Sequence, residues 1–329
     1  MIKSLVTGGA GFIGSNLVDE LVKKKHKVIV LDNFDTGRLS NLSHHSKKNV
    51  KIVKADISQS KNLLKYFKNI DYVFHLAGIA DIVPSIENPA KYFKSNVVGT
   101  LNVVEAAKKA KVRKFIYAAS ASCYGMPNKF PIKETAKKNT MYPYAFTKWQ
   151  AEELIMHWAK IYNFPAVSVR FFNAYGPRSR TSGAYGAVFG VFLAQKLSKK
   201  PLTIVGNGNQ TRDFVHVYDL VQALVKVALS KKVNEIYNIG SGKEIKVNHI
   251  AKLIGGKKVY IPKRPGEPSR SVADISKIKK DLNWQPKISI EKGVKNLLSI
   301  IHRWKDAPVW TPKSIKKETR TWFKLLEKN

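Results

Sequence analysis

The chain has 329 residues, 44% of them hydrophobic. It is long enough for one large domain or two ordinary ones around a sizeable core, which excludes a disordered protein. No run approaches the roughly 18 uninterrupted apolar residues of a membrane helix. Met1 leads straight into an apolar segment without a signal-peptide layout, so a soluble, cytoplasmic protein is expected. The single cysteine, Cys123, excludes an internal disulfide framework or a cysteine zinc cage. The eight histidines show no ligand spacing, and no metal is expected. The 58 basic and 23 acidic residues leave a formal charge of +35, a field that favours polyanions. The lysines are dispersed rather than gathered in a tail, which fits solvated faces better than a nucleic-acid footprint.

Through the first half, apolar β-branched runs alternate with segments of helical period, the pattern of a parallel sheet covered on both faces. Strands are predicted over 4–7, 27–31, 51–54, 72–76, 114–119 and 166–170, and helices over 15–24, 60–68, 90–110 and 144–162. The fold class is therefore α/β, a doubly wound parallel sheet of Rossmann type. After Arg170, glycine and proline punctuation marks shorter elements of a smaller C-terminal α/β substrate lobe. The expected division is a dinucleotide-binding domain over 1–172 and a lobe over 173–329, with a segment at about 211–242 rejoining the first through a strand at 235–239. Trp304, Trp310 and Trp322 stand among basic residues, and amphipathic packing accounts for them better than base stacking.

Thr7-Gly8-Gly9-Ala10-Gly11-Phe12-Ile13-Gly14 follows a predicted strand and opens a helix, the context in which a glycine motif binds a dinucleotide. Gly8 allows the tight turn, Gly11 the approach of a pyrophosphate and Gly14 close helix–strand packing, with the helix N-terminus facing the phosphates. About twenty residues on, Asp32-Asn33 ends the second strand. A carboxylate there accepts both ribose hydroxyls and repels a 2′-phosphate, so the expected cofactor is NAD.

Tyr144 and Lys148 are spaced by four on a predicted helix, which puts phenol and ammonium on one face. A tyrosine needs about 4 kcal/mol of differential stabilisation to titrate near 7, and the Lys148 cation is expected to supply part of it. The strand at 114–119 releases Ser120 and Ser122 at its C-terminal end, where open α/β sheets place their ligands. Ser120 can then share a proton with the Tyr144 phenol and a substrate hydroxyl.

With these motifs the chain resembles the extended short-chain dehydrogenase/reductases, specifically the NAD-dependent nucleotide-sugar epimerase/dehydratase family, and within it the UDP-hexose 4-epimerases. The resemblance runs from Thr7–Gly14 through Asp32-Asn33, Ala55-Asp56-Ile57, His75–Gly78, Asn96–Thr100, Ala119–Gly125, Tyr144–Lys148, Arg170–Asn173 and Thr211–Asp213 to Arg264-Pro265-Gly266-Glu267. It implies that Asp56 and Ile57 hold the adenine, with Leu76, Ala77 and Asn96 along the rest of the cofactor beside Gly8, Gly11, Phe12, Ile13, Gly14, Asp32 and Asn33. Tyr144 would be the general base, Lys148 its partner and the ribose anchor, and Ser120 with Ser122 would orient the sugar hydroxyl. Asn173, Arg212 and Arg264 would grip a diphosphate, Glu267 a nucleotide ribose hydroxyl, and Ser271 would line the hexose pocket.

In the same family, dehydratases carry Thr-Asp-Glu where this chain has Ser120-Ala121-Ser122, and decarboxylases carry a glutamate there. The Cys/His pair of 3,5-epimerase/reductases is not matched, since Cys123 falls one position late. The resemblance thus implies 4-epimerisation of a UDP-sugar by a homodimer joined through the helices near 90–110 and 144–162. The small Ser271 and the Gly183-Ala184-Tyr185 loop leave UDP-N-acetylglucosamine as open as UDP-glucose. Val188, where many relatives have a substrate-touching asparagine, and the cationic charge leave UDP-glucuronate open as well.

Overall fold

A computed structural model describes residues 1–59, 63–179 and 187–326. The first half builds β1 (Lys3–Thr7), β2 (Lys27–Asp32), β3 (Val50–Lys54), β4 (Tyr72–His75), β5 (Lys114–Ser120) and β6 (Ala166–Phe171). Leu5, Val6, Val73, Phe74, Phe115 and Ile116 are all fully buried, because helices cover both faces of a parallel sheet. The strands of the second half are β7 (Asn173–Tyr175), β8 (Leu202–Val205), β9 (Thr211–Arg212), β10 (Phe214–His216), β11 (Glu235–Ile239), β12 (Ile245–Lys246) and β13 (Lys258–Ile261).

The main sheet runs β11-β6-β5-β4-β1-β2-β3 with every pairing parallel. This order reverses direction between β1 and β4, which opens a crevice at their C-terminal ends. The strand expected at 235–239 adds to the far edge beside β6. The remaining strands form short pairs, β7 with β10, β9 with β12 and β8 with β13.

The helices are α1 (Phe12–Lys23), α2 (Ile82–Glu87), α3 (Pro89–Phe93), α4 (Gly99–Lys109), α5 (Pro143–Tyr162), α6 (Val188–Leu197), α7 (Val217–Leu229), α8 (Val247–Ile254), α9 (Ser276–Leu282), α10 (Ile290–Ser299), α11 (Pro312–Glu318) and α12 (Arg320–Leu326). The single helix expected over 90–110 is in fact α3 and α4 joined by a π turn at Lys94–Val98. Of the helix expected over 60–68, residues 60–62 lie outside the described residues, and the rest holds only a 3₁₀ turn at Leu64–Tyr66. Leu63, Phe67 and Ile70 are buried there at a spacing that imitates a helical stripe, and Asn69 ends the turn with φ 57°.

A second core gathers Tyr175, Phe189, Phe192, Leu202, Ile250, Leu297 and Trp304 from the second half of the chain. Trp304 and Trp322 are each 2% exposed and Trp310 packs at the border of that core, so the tryptophans serve packing as expected. No helix among the described residues is long and apolar enough to cross a membrane.

Candidate active site

The turn from β1 to α1 is closed by glycines. Gly8 has φ 68°, and a Cβ there would stand 2.7 Å from the Ala77 backbone nitrogen. A Cβ on Gly14 would meet the Gly8 carbonyl oxygen at 2.2 Å, so helix and strand cannot approach this way with any other residue. Gly11 caps α1 without a side-chain hydrogen bond, which leaves the first helical N–H groups facing the crevice. Gly8, Gly11, Phe12, Ile13 and Gly14 line one cleft of about 760 Å³ together with Asp32, Asn33, Asp56, Ile57, Leu76, Ala77, Tyr144 and Lys148.

Asp32 is nearly buried at the end of β2. Its carboxylate accepts the Ala10 N–H at 2.9 Å and the Phe34 N–H at 2.8 Å, and burial raises its pKa above the usual carboxylate value. The same carboxylate thus ties the glycine turn to the loop after β2 while standing in the cleft. Asp56 accepts the Ser58 N–H at 2.8 Å, which fixes the turn after β3. A cradle that excludes any Cβ, an uncapped helix start and a carboxylate at the end of β2 fit an NAD dinucleotide.

Asn96 is held by hydrogen bonds within the protein. It is 1% exposed and lies against Gly78 of the cleft, where a Cβ would stand 3.0 Å from Asn96 Oδ1. Its amide accepts the Ile79 N–H at 2.7 Å, donates to the Ile79 carbonyl at 3.0 Å and donates to Thr147 Oγ1 at 3.1 Å. The π turn carries it inward, a common device at functional sites, and there it locks the wall after β4 to α5.

Pro143 starts α5 at the position where proline lacks no needed donor. Tyr144 follows in the first turn and Lys148 one turn later, on the same face. Burial raises the Tyr144 phenol above its usual value, a hydrogen bond with Ser120 opposes that, and the Asp81 carboxylate reinforces it. Burial pushes the Lys148 ammonium down to about 7, against the pull of Glu152. Lys148 Nζ lies 4.4 Å from the centre of the Tyr117 ring. Burial thus disfavours both the phenolate of Tyr144 and the ammonium of Lys148. Ser122 Oγ donates to Ser120 Oγ at 2.9 Å, and the Ser122 N–H reaches the same oxygen at 3.2 Å. A line of hydroxyls thus runs from Ser122 through Ser120 to Tyr144.

Arg212, Arg264 and Glu267 meet as a group: Glu267 Oε1 lies 2.8 Å from Arg264 Nη1, and Oε2 lies 3.5 Å from Arg212 Nη2. Asn173 is exposed at the start of β7, its N–H held by the Asp213 carbonyl beside Arg212 at 3.0 Å. Ser271 is half-buried and follows this group in the chain. Val188 begins α6, and Gly183-Ala184-Tyr185 lie outside the described residues.

Sequence reasoning passed over two residues. Tyr142 stacks on Tyr144 with ring centres 6.4 Å apart, and the charges of Glu267 and Arg212 reach its phenol, so it bridges the two groups. Asp81, with φ 92°, lines the cleft, and its charge reaches the Tyr144 phenol. Among the described residues one histidine cluster has ligand-like proximity: His44 and His45 both contact Asp19 Oδ1, at 2.9 and 2.7 Å. Arg178 holds the other carboxylate oxygen of Asp19 at 2.7 Å, which disfavours a further cation.

The model of the NAD dependent epimerase/dehydratase family matches residues 4–240. UDP-glucuronic acid decarboxylase 1 of Arabidopsis thaliana is 36% identical over 312 residues, covering 91% of this chain and 69% of its own. The UDP-glucose 4-epimerase of Thermotoga maritima, solved with UDP-glucose, superposes with TM-score 0.86 at 34% identity, covering 92% of this chain and 99% of its own. The UDP-glucuronic acid 4-epimerase of Bacillus cereus, solved with UDP-glucuronic acid and NAD, gives TM-score 0.85 at 32% identity over 92% and 99%. The chain belongs to the NAD dependent epimerase/dehydratase family of nucleotide-sugar enzymes, and its cofactor is NAD.

Proposed function

We propose that the protein is a 4-epimerase of a UDP-hexose, with UDP-glucose and UDP-N-acetylglucosamine as its leading substrates. The observation that carries this reading is the hydroxyl line Ser122–Ser120–Tyr144, which offers one proton carrier and no carboxylate at the strand end where dehydratases and decarboxylases of the family carry one. NAD, when bound, supplies a hydride acceptor that can also return what it took. Tyr144 removes the proton of the C4 hydroxyl and later returns it, while Ser120 orients that hydroxyl. Lys148 anchors the cofactor ribose beside the phenol. Arg212 and Arg264 suit a diphosphate because guanidinium forks match phosphate oxygens. Glu267 would take a hydroxyl of the nucleotide ribose, and Asn173 the neighbouring phosphate. Held at the diphosphate, the hexose can turn over and present its other face to the same Tyr144.

Exposed Phe146 on α5 supports a homodimer through α4 and α5, and a sedimentation run giving only monomer would remove that part. The reading is tested by incubating the NAD-loaded protein with UDP-glucose, UDP-N-acetylglucosamine and UDP-glucuronate and resolving the products. Formation of a 4-epimer of unchanged mass is expected from one of the two neutral sugars. A 4-epimer from UDP-glucuronate alone would reassign the sugar, and a product lighter by water or carbon dioxide would overturn the reaction.

A further inference from the structure

Trp322 is a packing residue with two polar attachments. It is 2% exposed on α12, its Nε1–H donates to the Pro265 carbonyl at 2.9 Å, and the Arg264 guanidinium lies over its ring with 5.4 Å from Cζ to the centroid. Both contacts fall on the Arg264–Glu267 turn, whose Arg264 is also held by Glu267 at 2.8 Å. Leu326 Cδ1 stands 3.6 Å and Met141 Cε 3.8 Å from where a Cβ on Gly266 would sit. The turn is thus pinched between α12 and the segment that leads into α5. On its other side α12 packs on α2, with Thr321 Oγ1 donating to Glu87 Oε1 at 3.2 Å.

We propose that α12 is a clamp that pre-sets the Arg264 guanidinium for a nucleotide diphosphate, with Trp322 as its positioning residue. This rests on the reading above that Arg212 and Arg264 grip the diphosphate. A free arginine loses rotamer entropy when it binds. A guanidinium already laid on an aromatic ring has one face occupied and its plane fixed, so less of its freedom remains to be lost when it binds. The hydrogen bond to Pro265 fixes the ring relative to the backbone that carries Arg264. The C-terminal helix therefore acts on nucleotide affinity without touching the reacting carbon.

The test is UDP binding, measured by titration calorimetry on the NAD-loaded protein, so that the result does not depend on which sugar is turned over. Arg264→Ala should weaken UDP about tenfold or more. Trp322→Leu should weaken it about fivefold, and Trp322→Phe, which keeps the ring and the packing but drops the donor to Pro265, about threefold. Neither Trp322 variant should change the bound NAD, and neither should weaken UDP further in the Arg264→Ala background. UDP affinity unchanged in both Trp322 variants, with Arg264→Ala still impaired, overturns the clamp and leaves the grip standing. An additive double variant overturns the clamp too, since Trp322 would then act elsewhere. Full UDP affinity in Arg264→Ala overturns the grip and the clamp together.

Discussion

Lys148 holds its ammonium 4.4 Å from the centre of the Tyr117 ring, inside the same buried wall that carries Tyr144. An aromatic face stabilises a desolvated cation by about 2 kcal/mol, so Tyr117 opposes the burial that brings Lys148 down to about 7. Replacing Tyr117 by Leu removes the ring and should lower the Lys148 pKa further, by about one unit. The alkaline limb of kcat/KM then moves to lower pH, whereas Tyr117→Phe keeps the ring and should leave that limb in place. That limb reports the loss of the Lys148 proton. An identical profile in Tyr117→Leu would show that the ring does not support the charge.

If Tyr144 carries the proton, Tyr144→Phe should reduce kcat by about a thousandfold with NAD still bound. Ser120→Ala keeps the phenol but breaks the hydroxyl line, and about a hundredfold loss is expected. Single-turnover rates with UDP-glucose, beside the bound NAD measured after denaturation, separate a chemical effect from cofactor loss. Equal losses in the two variants would assign Ser120 more than an orienting role.

The sheet was legible because its central strands are short apolar runs buried on both faces, and the edge strand at Glu235–Ile239 because it leads into Gly240-Ser241-Gly242. The glycine turn and Asp32 were legible because each does one backbone or charge task that few residues can do. The bonds that Asn96 makes to Ile79 and Thr147 were not legible, because a π turn leaves no mark on the hydrophobic period of α3 and α4. Asp81 escaped notice because its positive φ is imposed by the surrounding fold. Tyr142 escaped because the charges of Glu267 and Arg212 reach it only across the fold, and while the packing of Trp322 was legible, its contact with Arg264 was not, for the same reason.

His75 is buried between Thr7 Oγ1 at 2.7 Å and Thr100 Oγ1 at 2.9 Å, and burial lowers its pKa to about 3, with the Lys148 charge adding to it. The unfolded chain binds a proton at His75 near pH 6.5 while the folded one does not, so its contribution is present above 6.5 and lost as the pH falls towards 3. The slope is about 1.4 kcal/mol per pH unit within that window. Burial lowers His216 to about 4 and acts in the same sense, while the raised Asp32 and Asp213 oppose it near and above the usual carboxylate range. Urea midpoints should therefore drop between pH 6.5 and 4.5, and His75→Asn should be less stable at pH 7 yet show a shallower drop. An unchanged slope in that variant would refute the assignment.

Asp81 reaches Tyr144 through charge, and removing that charge tests whether the phenol is the base. The Asp81 carboxylate disfavours the Tyr144 phenolate, so Asp81→Asn should lower the Tyr144 pKa. Asparagine tolerates φ 92° nearly as well as aspartate does, and the backbone of the cleft wall should stay in place. A base with a lower pKa is deprotonated at lower pH, so the acid limb of kcat/KM should move to lower pH. The same variant should leave the alkaline limb nearly fixed, because Asp81 is not among the charges that set Lys148. If the acid limb rises or the limb disappears, Asp81 itself exchanges the proton, and the assignment of a single tyrosine proton carrier fails.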